Sequence, residues 1–501
     1  MLTIADALSV NALKWPDRLC LADATRRLSF ADVDARVDRL ANGLLALGCR
    51  PGEAIAVYAR NSIEYLELFH AAAKLGLRLV TLNAWHRLGE MEVLFNHSGA
   101  AWLVIGEAGQ EDVAAMRDRL PKLRGLVVIG EARVEGAHGW DAVTALGDGR
   151  TPRIAVDPQA PFWMMYTSGT TGDPKGLYRS FLRTSLCLWA GIIEFGYRRT
   201  DSFLALSPFF HGVTFMPLMV LQTGGSIYVE PEFAPERVIR LLQEERISCT
   251  FMVPTMLTML MQHPAWPTAR FDDIRVIVTG GAALPTAVKQ EVARMMGPAL
   301  HEFYGASESG FITVLHPEDQ MRKERCCGQP AFGAEVEIRG EDGAILPLDT
   351  VGEVYTRCEG RFDAYYGDPE RTAQVLHDGW FTAGDLGRMD EEGFVYIVDR
   401  KNDLIISGGE NVYPREIEDV LRHHPAIADC AVVGVPDEKW GEAVKAVVVV
   451  RPGMALGRDE VIAHCAARLA GFKRPKHVEF AAELPKNASG KVLKALLRQK
   501  T

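Results

Sequence analysis

Tyr166-Thr-Ser-Gly-Thr-Thr-Gly-Asp-Pro-Lys-Gly176 packs three glycines, four aliphatic hydroxyls and one lysine into eleven residues. Glycine lets the backbone approach a ligand closely and adopt positive φ. Backbone N–H groups in such a loop cradle phosphate oxygens, hydroxyls add donors, and Lys175 adds a point charge. An apolar run over 161–166 feeds straight into the loop. That strand-into-loop context is what a phosphate loop requires, and it argues against a merely solvent-exposed turn. The spacing is not that of a Walker A loop, which needs Gly before the Lys and a hydroxyl after it. Here Pro174 precedes Lys175 and Gly176 follows, so P-loop kinases and GTPases are disfavoured.

Working outward, helix and strand patterns alternate. Ser29 and Asp32 make a capping-box start. Val33, Val37, Leu40, Leu44 and Leu47 then follow at helical spacing, and Gly48 stops the helix. Residues 54–59 read as a buried strand, Asn61 and Glu64 open a second helix ending near Gly76, and 79–82 is the next strand. Strands at 202–206, 226–229, 249–253 and 275–279 alternate with helices at 235–246, 255–262 and 285–296. Repeated β-α units predict an α/β fold of sheets covered by helices. From about residue 326 to 398 the pattern becomes short strands with Gly and Asp turns, a small β subdomain. Beyond Asp399-Arg-Lys-Asn-Asp403, helices at 414–424, 459–469 and 492–499 and strands at 430–435 and 443–451 predict a compact α+β domain. The expected organisation is a large N-terminal domain over 1–398, a hinge at 399–403, and a small mobile C-terminal domain over 404–501.

The chain has 501 residues, enough for two or more domains. A hydrophobic share of 48% and a charged share of 24% are ordinary for a globular protein. A formal net charge of −10 argues against a general nucleic-acid binder. Nine cysteines lack metal-type pairing and read as reduced thiols of a cytoplasmic protein. The first ten residues lack the basic and apolar regions of a signal peptide. No uncharged run is long enough to span a membrane. A homodimer is left open.

Further motifs follow in order: Pro208-Phe-Phe-His-Gly212, Tyr304-Gly-Ala-Ser-Glu308, Trp380-Phe-Thr-Ala-Gly-Asp385, Asp399-Arg400 through Ser407-Gly-Gly-Glu-Asn-Val-Tyr-Pro-Arg-Glu-Ile-Glu418, and Pro485-Lys-Asn-Ala-Ser-Gly-Lys491. Together with 166–176 they run over nearly the whole chain. The sequence resembles an acyl-CoA synthetase of the adenylate-forming superfamily, which also contains peptide-synthetase adenylation domains and luciferases. The resemblance implies two half-reactions. A carboxylate attacks the α-phosphate of MgATP to give an acyl-AMP and pyrophosphate. The thiol of CoA then gives the thioester and AMP. Bringing an anion to a polyanion calls for cations and oriented donors.

By resemblance, Thr167, Ser168, Gly169, Thr170, Thr171, Gly172 and Lys175 hold the phosphates, with Thr170 at the chemistry. Glu308 is the Mg²⁺ ligand, a hard carboxylate oxygen for a hard cation. Ser307, where the family more often has Thr, donates to the α-phosphate. Tyr304 stacks on adenine, beside Gly281, Ala282 and Ala283. Asp385 and Arg400 take the ribose; the bland reading of Arg400 is an interdomain ion pair. His211 is the aromatic gate of the acyl pocket, or else an ordinary core histidine. Trp440 and Lys473 lie on the CoA side, or else on ordinary surface. Asn402 is the hinge residue, where the family usually has Asp or Lys. Gly408-Gly409 enters the site after the domain rotates. Lys491 bridges carboxylate and α-phosphate during adenylation. Residues 212–225 carry no charge, which disfavours a dicarboxylate and leaves medium- or long-chain fatty acids and aromatic acids open. Read as a buried helix, the same run says nothing about substrate.

The cofactor set is thus ATP, Mg²⁺ and CoA. Two other readings stand beside this ligase: an adenylating enzyme that loads a carrier protein, and a non-catalytic nucleotide or acyl binder. The charged set Lys175, Glu308, Asp385, Arg400 and Lys491 argues against the binder. Lys491→Ala is expected to slow acyl-AMP formation about 10²–10³-fold, the cost of one lost electrostatic donor. Thioester formation from supplied acyl-AMP should suffer far less. Equal loss in both half-reactions would refute the role given to Lys491.

Overall fold

The computed structural model describes residues 3–167, 174–408, 410–437, 439–486 and 492–498. Its contacts gather into two compact units, Met1–Val336 with Thr356–Phe381, and Glu337–Tyr355 with Thr382–Thr501. The second unit therefore joins 404–501 to 382–403 and to 337–355.

The first unit is built on two large sheets. One has eight strands, in the order Ala364–Tyr365, Lys175–Ser180, Pro161–Thr167, Arg78–Thr81, Ala54–Tyr58, Trp102–Gly106, Gly125–Ile129 and Ala137–Gly139. Pairing is parallel except around Lys175–Ser180, which runs antiparallel to both neighbours. The other has nine strands, in the order Gln329–Pro330, Gly310–Leu315, Leu300–Ala306, Val276–Gly280, Cys249–Phe251, Ser202–Ala205, Ser226–Val229, Leu19–Ala22 and Arg27–Ser29. Its middle is parallel and its ends turn back as antiparallel pairs. The helix Ile63–Leu75 is buried at every position but Glu64, as befits an element covered on more than one side. Its Phe69 meets Phe162 and Trp163 edge-on. Phe162 in turn stacks on Phe181 at 4.4 Å, at the start of helix Phe181–Phe195.

The expected elements form with ends within a few residues of their predicted bounds. Ser29 and Asp32 form the capping box of helix Phe30–Ala46. One helix start differs. Ser62, not Asn61, caps Ile63–Leu75, its hydroxyl accepting from the Tyr65 N–H at 3.1 Å. Asn61 is buried and faces away from the helix. Its amide donates to the Ser207 carbonyl at 2.9 Å and accepts from the Phe209 N–H at 2.8 Å. It thereby ties down the segment leading to His211. The uncharged 212–225 run becomes a short 3₁₀ turn and the helix Phe215–Thr223, buried continuously from Phe215 to Leu221. Core packing alone accounts for its lack of charge.

In the second unit, strands Trp380–Met389 and Val395–Arg400 pair antiparallel from Asp385↔Arg400 to Met389↔Val395. Beyond them, Ile427–Asp437 and Gly441–Val450 form a long antiparallel pair with His477–Phe480 alongside. Their side chains alternate between two cores. Val432, Val444, Ala446 and Val448 join Ile417, Leu421 and Val461 of the helices Pro414–Arg422 and Arg458–Ala466. Ala431, Val433, Val435 and Val447 face Leu497 of the helix Lys494–Arg498. Among the described residues no helix is long and apolar enough to cross a membrane.

Asn61→Ala should leave the buried groups of residues 207–209 without partners and cost about 1–3 kcal/mol. Chemical unfolding checks this, and unchanged stability would show that Asn61 does not hold the segment.

Candidate active site

Strands Pro161–Thr167 and Lys175–Ser180 pair up to Thr167↔Lys175, so the glycine-rich segment leaves and re-enters the sheet at adjacent positions. Ser168, Gly169, Thr170, Thr171 and Gly172 lie outside the described residues, as does Lys491. Gly176 is closely packed: a Cβ there would meet Met164 Cε at 2.5 Å and Tyr166 Cε1 at 3.0 Å.

Glu308 lies in the turn between Leu300–Ala306 and Gly310–Leu315. Two glycines shape this turn. A Cβ on Gly305 would fall 2.0 Å from the Gly310 carbonyl oxygen, and Gly310 has φ of 74°, a conformation glycine adopts without strain. Ser309 Oγ accepts from the Ala306 N–H at 3.0 Å. The Glu308 side chain is buried, and its Oε1 has two partners. Lys175 Nζ lies at 3.1 Å and the Tyr365 hydroxyl donates at 2.6 Å. Lys175 also sits 4.5 Å above the Tyr365 ring. Burial first, and then the Glu308 carboxylate, hold the Tyr365 phenol well above its ordinary pKa. It is therefore a neutral donor.

Gly280 pairs with Phe303, so 281–283 leave their strand beside the one that leads into Tyr304. Gly281, Ala282 and Ala283 are exposed, and Gly281 has φ of 82°. Tyr304 and Ser307 are partly buried. The structure brings these residues and Glu308 to one region, at the C-terminal ends of two parallel strands, where ligands bind in open α/β sheets.

His211 is partly buried and packs at a 4.6 Å ring separation on Phe210. Trp85, 55% exposed, lies edge-on to both rings, 5.2 Å from Phe210 and 6.4 Å from His211. Burial lowers the His211 pKa to about 4, and the nearby His86 pushes it the same way.

In the second unit, Asp385 is buried and Arg400, opposite it in the ladder, brings Nε to 3.2 Å from its Oδ1. The two residues expected on the ribose are thus direct partners within one unit. Asp399 accepts from the Arg415 N–H at 2.8 Å, in the first turn of helix Pro414–Arg422, and burial raises its carboxyl above the ordinary value. The Asn402 carbonyl accepts from Arg498 at 3.1 Å. Trp440 is 38% exposed, with Lys476 Nζ 3.8 Å from its ring centroid. A Cβ on Gly408 would fall 2.8 Å from Trp440 Cε3. Lys473 pairs with Glu416 at 2.7 Å. Gly409 lies outside the described residues.

Sequence reasoning missed two residues here. Tyr365 is one aromatic in a run with no motif. Arg179 sits in a strand as an ordinary charge, yet it is buried and donates to three backbone carbonyls. Neither role has a signal in sequence spacing.

The AMP-binding enzyme family matches residues 8–366, and the AMP-binding enzyme C-terminal domain matches residues 416–491. The chain belongs to the AMP-binding enzyme family. It is an AMP-forming acid–thiol ligase. A feruloyl-CoA synthase of an Amycolatopsis species is 35% identical over 476 residues, covering 94% of each chain. The long-chain-fatty-acid–CoA ligase FadD13 of Mycobacterium tuberculosis is 33% identical over 488 residues, covering 94% of this chain and 93% of its own. ATP-bound MatB from Rhodopseudomonas palustris superposes with a TM-score of 0.89 at 28% identity, over 99% of both chains.

The lowered pKa of His211 has a pH consequence. The unfolded chain takes up this proton near pH 6.5, the folded one only near 4. Stability contributed by neutral His211 is complete above about pH 6.5 and is lost as pH falls toward 4. His211→Gln should flatten the fall of stability across that window relative to wild type, read by unfolding midpoints. An unchanged slope would show that His211 titrates normally.

Proposed function

We propose that this chain joins a monocarboxylic acid to CoA in two steps, with MgATP as the activating co-substrate. The observation that carries this is the pairing of Lys175 and Tyr365 on Glu308 at the re-entry point of the glycine-rich loop. A cation and a carboxylate meet where the chain rejoins the sheet at Lys175, a place suited to neutralising triphosphate charge. Carboxylate oxygen is the hard donor Mg²⁺ prefers, and Glu308 Oε2 takes part in neither contact, so the residues present fit the ion. Among the described residues no group of three or more His, Cys, Asp or Glu side chains could hold a metal ion. Glu308 and the nucleotide phosphates would hold it together. Bound there, the ion neutralises phosphate charge during pyrophosphate departure.

The chain's own groups supply the rest. Lys175 leaves Glu308 for a phosphate oxygen when the nucleotide enters. Tyr365 keeps Glu308 oriented by donating to Oε1. Tyr304 and the 281–283 segment flank adenine, Asp385 and Arg400 take the ribose hydroxyls, and Thr170 and Lys491 serve the adenylation step. Thr167 and Ser307 add donors to the phosphates. Trp440 and Lys473 serve CoA, whose phosphate displaces Glu416 from Lys473. Asn402 is the hinge. The thiols of Cys20, Cys49, Cys187, Cys249, Cys358, Cys430 and Cys465 fit a reducing cytoplasm.

The acid is an aromatic or a medium- to long-chain aliphatic one. The aryl acid is ranked first, because Trp85, Phe210 and His211 form an edge-to-face ring cluster suited to a planar guest. A panel of cinnamic, arylacetic, fatty and dicarboxylic acids with ATP, Mg²⁺ and CoA tests this through AMP release and product mass. Aryl-CoA products with CoA-dependent AMP release are expected. AMP release independent of CoA would point to carrier loading, and no pyrophosphate exchange with any acid would remove the proposal.

A further inference from the structure

Arg179 is the only fully buried arginine among the described residues, at 1% exposure. A buried guanidinium is costly unless it is paired and hydrogen-bonded. Among the described residues this one has no carboxylate at ion-pair distance. The nearby acids are engaged elsewhere: Asp363 accepts from the Ser180 N–H at 2.6 Å and from Arg183 Nε at 3.0 Å. Glu308 is held by Lys175 and Tyr365. Arg179 instead spends its donors on main-chain oxygens: Nη2 on Ser307 at 2.6 Å and on Glu308 at 3.3 Å, Nε on Gly360 at 2.9 Å. Nη1 is buried with no hydrogen-bond partner. The guanidinium also lies 5.1 Å from the Phe215 ring centroid, at the start of the helix that follows His211. Burial works against its charge, yet an arginine stays protonated.

We infer that Arg179 is a positioning residue for nucleotide activation: its planar fork fixes the Ser307–Glu308 turn through the turn's carbonyls, and its unneutralised charge biases that turn toward anions. The arrangement suits the fork of arginine and no other side chain. Three carbonyls on two separate segments are reached from one plane, which a lysine point charge does not reproduce. The same strand carries Lys175 four residues earlier, so a single strand supplies both the cation on the Glu308 carboxylate and the donors on the Ser307 and Glu308 carbonyls. A fold needing only to fill this space would use an apolar residue, which avoids the desolvation cost.

The inference rests on the assignment of Glu308 to the metal, and the test separates the two. In the full-length protein, ATP binding is measured calorimetrically in EDTA and in Mg²⁺, alongside KM and kcat for pyrophosphate exchange. Four proteins are compared: wild type, Arg179→Met, Glu308→Gln and the double variant. Supporting residues around a metal site typically contribute about 10–100-fold to affinity or activity. Arg179→Met should keep metal-free ATP binding, lose about 10–100-fold of the Mg²⁺-dependent gain, and lower kcat more than it raises KM for the acid. In the Glu308→Gln background it should add little, because the two act as a unit. Equal loss of ATP binding with and without Mg²⁺ would make Arg179 merely structural and overturn the inference. So would a wild-type Mg²⁺ gain in Arg179→Met, or a full additional loss in the double variant. If Glu308→Gln keeps the Mg²⁺ gain, the metal assignment falls and the inference with it. Should Arg179→Met fail to fold, Arg179→Lys is read by the same criteria.

Discussion

One carboxylate oxygen, Oε1 of Glu308, must be satisfied inside the protein, and the strand and turn around it answer that demand. A buried carboxylate is tolerated only with partners. Lys175 supplies charge and Tyr365 a neutral hydroxyl. Both are placed by one strand. Lys175 begins it, and Tyr365 is brought in because Ala364–Tyr365 pairs along it, with Tyr365 opposite Leu177. Reversing the direction of Lys175–Ser180 within an otherwise parallel sheet is what returns the chain to Thr167 and sets Lys175 at the loop's exit. The turn that offers Glu308 depends in turn on Gly305 and Gly310, where a Cβ has no room or the backbone is left-handed.

The second unit shows the same economy on a smaller scale. Asp385 and Arg400 meet because they are opposite each other in one ladder. The next residue back, Asp399, accepts from the backbone of Arg415 and so fixes the start of the following helix. Two adjacent side chains on one strand end thus serve different ends, one facing a partner across the ladder and one holding the helix that comes next.

What could be read from the chain was what depends on local pattern. Capping at Ser29 and Asp32, helical spacing from Val33 to Leu47, and the strand run into the glycine-rich loop all take shape as expected, because each is fixed by neighbours in sequence. Asn61 misled because Asn and Ser are both good caps. Only tertiary contact assigns Ser62 to the helix and Asn61 to residues 207–209. Tyr365 and Arg179 were illegible for the same reason. Each gains its meaning from a segment more than fifty residues away. The uncharged stretch after His211 was ambiguous between pocket lining and core, since burial leaves the same composition in either case. The packing of Trp440 over Gly408 likewise exists only in three dimensions.

Both large sheets finish in stubs. Ala364–Tyr365 and Gln329–Pro330 are two residues long, Ala137–Gly139 and Arg27–Ser29 three. A strand edge that short offers a stranger too few amides to zip onto, and proline removes one more. The seventeen strands of the two large sheets thus end in edges too short to template growth between molecules.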